Sequence, residues 1–156
     1  MKCIELITKE WKIFVDNDDY KKVSKIKWYL NHTKRRPNLY YAQGLYNGKI
    51  IFMHRFILNA PRNLKVDHIN GNGLDNRKSN LRLATTSQNN CNCGIQSNNT
   101  SGFKGVCWKK QTKKWMAKIV KNGKQINLGY FSDINLAKEA YNKAARKYHK
   151  KYARLN

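Results

Sequence analysis

The sequence predicts an α+β protein built from two small units, and three observations carry that expectation. Two Asn-Gly pairs, Asn47-Gly48 and Asn122-Gly123, each lie between strand-like runs and supply the positive φ angles of a tight hairpin turn. An apolar stripe of Ala137, Ala140, Tyr141, Ala144, Ala145 and Tyr148 keeps helical spacing throughout. Between these features, residues 94–101 (Gly-Ile-Gln-Ser-Asn-Asn-Thr-Ser) offer almost nothing to bury, which places a linker at 96–101 between domains at 1–95 and 102–156.

Residues 1–53 read as short strands parted by turns. Ile4 to Ile7 and Trp11 to Val15 come first, and Asp16-Asn17-Asp18-Asp19 is a turn entering a short amphipathic stretch. Tyr40 to Tyr46 and Lys49 to Met53 flank Asn47-Gly48 as a β-hairpin. His54 to Asn59 reads as a short helix that stops before Pro61, because the residue before a proline is pushed out of helical geometry. A strand at Val66 to Ile69, a Gly/Asn-rich loop at 70–76 and a second strand around Arg82 to Ala84 follow. Thr86-Ser87 then caps a helix through Gln88-Asn89-Asn90, a hydroxyl there accepting a free backbone N–H. The second unit shows strands at about 104–109, 114–121 and 124–131, joined by Gln111-Thr112-Lys113 and by Asn122-Gly123. Ser132 or Asp133 caps the final helix, whose small alanines let it lie close against a sheet.

Thirty-two Lys and Arg residues stand against nine Asp and Glu, a formal net charge of +23, and the natural counter-ligand of so much positive charge is nucleic acid. Both halves carry the excess. No apolar run approaches the roughly 20 residues that span a bilayer, and no basic amphipathic helix marks a membrane-surface protein. The opening residues lack the apolar core and cleavage site of a secretory signal, so a cytoplasmic protein is expected. Cys3, Cys91, Cys93 and Cys107 form no CxxC pair, which argues for reduced thiols rather than a disulfide framework. His32 and His149 read as ordinary surface residues.

Asp67-His68 is followed by Asn80 twelve residues after the histidine and by Asn89 nine further on. Singly, Asp67 reads as a turn cap, His68 as a core histidine, and the asparagines as turn or cap residues. Jointly, with Asp75-Asn76-Arg77 and Asn80-Leu81-Arg82 between them, they closely resemble the HNH nuclease family. The resemblance extends through Tyr40-Tyr41-Ala42 and Met53-His54-Arg55 to cover roughly the first 95 residues. It implies a ββα-metal nuclease domain that hydrolyses phosphodiesters. His68 matches the general base, and a neutral imidazole suits that role near pH 7. Asp67 and Asn89 match positions that give hard oxygen ligands to one divalent ion, which points to Mg²⁺ or Mn²⁺. Asn80 matches the residue that braces the loop and orients the histidine. His54 and Arg55 either contact the scissile phosphate or pack beneath the site. Some relatives hold a structural zinc through two CxxC pairs; Cys91-Asn92-Cys93 alone falls short of a tetrahedral site, and no zinc is expected.

Phe103-Lys104-Gly105-Val106, Trp115 to Ile119, Leu128 to Phe131, Ala137 to Ala145 and Ala153 to Asn156 resemble the AP2 DNA-binding domain over about 101–156. That resemblance implies a three-stranded antiparallel sheet packed on one helix, with the open sheet face in the DNA major groove. Period-two reading sets Val106, Trp108, Trp115, Ala117, Ile119, Ile126 and Leu128 on the helix side. Cys107, Lys109, Lys118, Val120, Gln125 and Asn127 fall on the open side, at positions matching the family's DNA contacts. The arginines frequent there are absent, so bidentate guanine contacts are largely missing and sequence preference is expected to be modest. Lys104, Lys110, Lys113, Lys114, Lys121 and Lys124 read as phosphate contacts, with affinity steeply dependent on salt.

Together the resemblances imply a metal-dependent endonuclease of phage or mobile-element homing type, acting on double-stranded DNA in a host cytoplasm and needing no small-molecule cofactor. The competing expectation is a DNA-binding regulator whose nuclease half has become scaffold.

Overall fold

In the computed structural model, residues 2–5, 11–33 and 36–156 are described, and they divide into two compact units, Met1–Thr85 and Thr86–Asn156. The fold is α+β, and among the described residues no helix is long and apolar enough to cross a membrane.

In the first unit, β1 (Lys2–Glu5) pairs antiparallel with β2 (Lys12–Val15). The expected strand at Ile4 to Ile7 therefore appears shifted, and its end lies outside the described residues. Asp16 precedes a true helix, α1 (Asn17–Val23), where a turn was expected, because Asp19 is drawn inward by an ion pair at 2.9 Å with Lys78. The chain continues as β3 (Trp28–Thr33), β4 (Arg36–Tyr46) and β5 (Lys49–Phe52), an antiparallel sheet in that order. Asn47 and Gly48, at φ 47° and 69°, make the β4–β5 turn. Helix α2 (Met53–Ile57) follows, then β6 (Lys65–His68), a 3₁₀ turn over Lys78–Asn80, and β7 (Leu81–Ala84), antiparallel to β6. Ile13, Val15, Val23, Trp28, Ala42, Met53, Leu74 and Leu81 form the core beneath these pieces.

The second unit opens with α3 (Thr86–Cys91) and continues as β8 (Val106–Lys109), β9 (Lys114–Lys121) and β10 (Lys124–Phe131), a sheet ordered β10-β9-β8. Helix α4 (Ile134–His149) is capped by Asp133, whose Oδ1 accepts the Asn135 N–H at 2.7 Å. Its stripe buries Ala137, Tyr141, Ala144 and Ala145 against Val106, Ala117 and Ile119. Gly105 lies where a Cβ would meet the Tyr141 ring at 2.3 Å, and its φ of 74° favours glycine on its own account. A 3₁₀ turn spans Lys150–Tyr152.

The units divide ten residues before the expected linker, because α3 is tied to the second unit. Residues 99–102 are also folded rather than free: Ser101 Oγ donates to the Val106 carbonyl at 2.8 Å, and Gly102 N–H donates to Asn99 Oδ1 at 2.8 Å. Polar side chains bonding to nearby backbone give this stretch the order that its lack of apolar residues concealed.

Candidate functional site

Asp67 and His68 end strand β6, both buried, and the thirteen residues from His68 to Asn80 form a loop returning to β7. Strand β2 pins that loop: Phe14 N–H donates to the Leu74 carbonyl at 2.9 Å, and Asn76 N–H donates to the Phe14 carbonyl at 2.8 Å. Gly73 is required for the approach, since a Cβ there would meet the Tyr40 carbonyl oxygen at 2.2 Å and the Tyr41 ring at 2.7 Å. Asn80 bonds inside the loop in three directions. Its Nδ2 donates to Asn70 Oδ1 at 3.0 Å and to the Asp75 carbonyl at 2.8 Å, and its Oδ1 accepts the Asn70 N–H at 3.0 Å. Arg77 donates to Asp75 at 2.6 and 2.7 Å, which holds the Asp75 carboxyl below the usual carboxylate range.

His68 stands over fully buried Asn76, whose Oδ1 lies 3.4 Å from Nε2. An amide oxygen facing the ring accepts from Nε2–H, and the neutral tautomer so selected carries its lone pair on Nδ1. Burial pushes the His68 pKa down; the Asn76 bond and the charges of Asp67 and Asp75 oppose that shift without reversing it. His54 packs edge-on to His68 at 5.1 Å between ring centroids, with Tyr41 5.8 Å from the His68 ring. Burial, then the neighbouring His68 and Arg55, lower the His54 pKa to about 3, so His54 is a neutral wall of the site. Arg55 is turned away: it donates to the carbonyls of Leu64 at 2.8 Å, Ala60 at 3.0 Å and Pro61 at 2.8 Å, clamping the loop after α2. Of the two readings of His54 and Arg55, packing beneath the site is the one their contacts match.

Asp67 faces Arg82 directly across the β6–β7 ladder, and Arg82 donates to Asp67 Oδ2 through Nε at 2.7 Å and Nη2 at 2.6 Å. Among the described residues, no group of three or more His, Cys, Asp and Glu side chains gathers as a metal site. A single carboxylate with amide oxygen is nevertheless a donor set that suits a hard cation whose remaining positions are filled by water and phosphate oxygens. Asp67 offers such a carboxylate at the end of β6, in the first unit; Asn89 lies on α3, in the second unit.

The family model for HNH endonuclease matches residues 59–91, and that for the AP2 domain matches residues 101–151. An uncharacterized HNH endonuclease of Acanthamoeba polyphaga mimivirus is 35% identical over 149 residues, covering 92% of this chain and 73% of that protein. Protein 3.8 of Escherichia phage T7 is 34% identical over 95 residues, 61% of this chain and 78% of that protein. The chain belongs to the HNH endonuclease family. No solved structure is significantly similar to it.

As an HNH endonuclease family member with an AP2 domain, the chain is a DNA-binding protein of nuclease type. In the AP2 domain, Cys107 pairs with Met116, Val120 with Gln125, and Lys118 with Asn127, so the six positions assigned to the open face do share one face. Lys109 and Lys114 pair at its edge, and Lys110, Lys113 and Lys124 are exposed around it. One further residue joins this face that period-two reading missed. The register shifts between Asn127 and Gly129, so Tyr130 pairs with Met116 on the open side and is 46% exposed.

Four positions depart from expectation. Asn127 Oδ1 accepts the Gly129 N–H at 3.0 Å, so that oxygen serves the bulge. Lys104 Nζ is turned to the carbonyls of Cys91 and Cys93, both at 2.6 Å, instead of projecting to solvent as a phosphate contact would. Trp108 lies on the helix side by register and edge-on to Trp115 at 5.0 Å, yet is 44% exposed. His149 is half-buried instead of superficial, its Nε2–H donating to the Val120 carbonyl at 2.8 Å.

Proposed function

We propose that the chain is a divalent-metal-dependent DNA endonuclease in which His68 is the general base. The observation that carries this reading is a buried, neutral His68 oriented by Asn76 beside Asp67 at the end of β6. Near pH 7 its Nδ1 lone pair takes a proton from water as the water oxygen bonds to phosphorus and the bond to the leaving oxygen breaks. Asn76 fixes the tautomer, Asn80 braces the loop, and the rings of Tyr41 and His54 keep solvent from the rest of the imidazole. Asp67, with Asn89, would hold Mg²⁺ or Mn²⁺. When bound, that ion would stabilise negative charge on the phosphate and leaving oxygen.

The open AP2 face, with Lys109, Lys110, Lys113, Lys114, Lys118 and Lys124, binds double-stranded DNA and selects the site, the economy of two linked modest binders. The phage and mimivirus relatives support a nuclease of homing or mobile-element type working inside a host cell. A supercoiled plasmid incubated with wild type and with His68→Ala, each with Mg²⁺ and with EDTA, tests the reading. Open-circle or linear product only from wild type with metal is expected, a loss of about 10³-fold for the variant; cleavage that survives the variant or the chelator overturns it. The Arg82 pair on Asp67 favours a second reading, a DNA-binding regulator built on an inactive scaffold, which predicts gel shift without cleavage of any DNA.

A further inference from the structure

The open face of the AP2 sheet is striped. Register sets Cys107, Met116 and Tyr130 in one row across β8, β9 and β10, because Met116 pairs with both of the others. Lysine-bearing pairs flank that row, Lys109 with Lys114 on one side and Lys118 with Asn127 on the other. The middle row is uncharged, and its only strong hydrogen-bonding group is the Tyr130 hydroxyl, since a thiol and a thioether bond weakly. Met116 is buried at its centre, Cys107 is half-buried and the Tyr130 ring is exposed. The bulge between Asn127 and Gly129 is what brings that ring to this face.

The charge around the row is of one sign. The two acidic residues of the unit, Asp133 and Glu139, lie at the cap of α4 and on α4 itself, and the sheet face presents lysines. A polyanion is the complement of such a face. Three strands spaced about 4.8 Å apart span about 10 Å, which fits within the roughly 12 Å width of the B-DNA major groove and lets the row reach base edges. There thymine alone of the four bases presents an apolar group, its C5-methyl. The donors and acceptors of the other bases would lose water against Cys107 and Met116 without replacement, whereas a methyl group gains by leaving water.

We propose that the Cys107–Met116–Tyr130 row recognises the C5-methyl group of a pyrimidine in the major groove, which gives the AP2 unit a base preference where guanine-reading arginines are missing. This rests on the reading of the open face as the DNA-binding surface, and names what that surface recognises. Thymine and 5-methylcytosine carry the same group.

The test titrates the full chain, kept from cleaving by EDTA, against alternating dA-dT and dA-dU duplexes, which differ only by the methyl group and present it in every register. Alternating dG-dC duplexes with and without 5-methylcytosine form the second pair. Tighter binding to the methylated member, by about fourfold for each methyl buried, is expected. A gain in both pairs assigns recognition to the methyl group on either ring, and a gain in one pair assigns it to that base. Tyr130→Ala and Cys107→Ser should each bring the ratio towards one and leave the salt slope unchanged, while Tyr130→Phe, which keeps the ring, should retain it. Equal affinities within both pairs, with Lys114→Gln or Lys118→Gln still weakening binding, would overturn the proposal and leave the face as a backbone grip. A methyl preference that ignores Tyr130→Ala and Cys107→Ser, or that vanishes in Tyr130→Phe, overturns it as well. If neither lysine variant changes affinity or salt slope, the DNA-binding reading of this face falls and the proposal falls with it.

Discussion

The two units of the chain are held together by different chemistry. In the first, the buried polar residues Asp19, His54, Asp67, His68, Asp75, Asn76 and Asn80 crowd around one loop and its supports, whereas in the second the buried residues are apolar apart from Asn92. The sheet and α4 rest on alanine, isoleucine and tyrosine contacts that substitution erodes gradually. The loop rests on hydrogen bonds and an ion pair whose partners are stranded when one is removed. A site that must hold an imidazole and a carboxylate in fixed geometry is built the second way.

The largest expected effect comes from breaking that ion pair. Arg82→Met takes the guanidinium away from the buried Asp67 carboxylate, and breaking such a pair costs about 3–5 kcal/mol. Urea denaturation should show this loss, and the double variant Asp67→Asn/Arg82→Met should recover part of it. A loss under about 1 kcal/mol would mean that the pair behaves as a solvated surface contact.

Next is Asn80→Ala against Asp133→Ala, one polar side chain from each unit. Removing Asn80 strands the Asp75 carbonyl and the Asn70 N–H, a loss of about 3 kcal/mol; removing the Asp133 cap costs about 1 kcal/mol. Equal losses would erase the distinction between the units. The same contrast governs what could be read from sequence. Strands β9 and β10 and the stripe of α4 follow from alternation, turn pairs and helical period, each a local signal. Tyr130 escaped because one bulge at Leu128 shifts the phase of β10, and a bulge has no periodic signature. In the loop, the spacing of Asp67, His68 and Asn80 was legible by resemblance, but the Asn76 contact to His68 and the Arg82 pair to Asp67 arise only when distant backbone segments meet. Lys104 shows the limit from the other side: a lysine amid lysines gives no sign that its partners are the carbonyls of Cys91, which ends α3, and Cys93 just beyond it.

Acid separates the units by a smaller amount. The folded pKa of His54 is about 3 against an ordinary 6.5, so between those values the unfolded chain binds a proton that the folded chain refuses. The stability this group contributes is complete above pH 6.5 and is lost as pH falls towards 3, at about 1.4 kcal/mol per unit. Burial lowers the His68 pKa as well, so the two histidines act in the same direction. His54→Phe keeps an aromatic ring in the same wall and removes one of the titrations. Denaturant midpoints from pH 7 to pH 4 should fall less steeply in the variant; parallel curves would show that His54 is already protonated in the fold.

The smallest effect belongs to single lysines at the AP2 face, where water and salt compete for every charge. Lys110 is exposed, so Lys110→Gln should leave stability within about 0.5 kcal/mol. If Lys110 neutralises one phosphate, the slope of log affinity against log salt should become shallower by about 0.9, equally on every DNA sequence. Gln125→Ala is the sharper counterpart, since an amide on the open face that reads a base edge changes preference between sequences while leaving the salt slope alone. If both substitutions weaken binding uniformly and flatten the slope, the face grips backbone only, and the choice of cleavage site falls to the unit that carries His68.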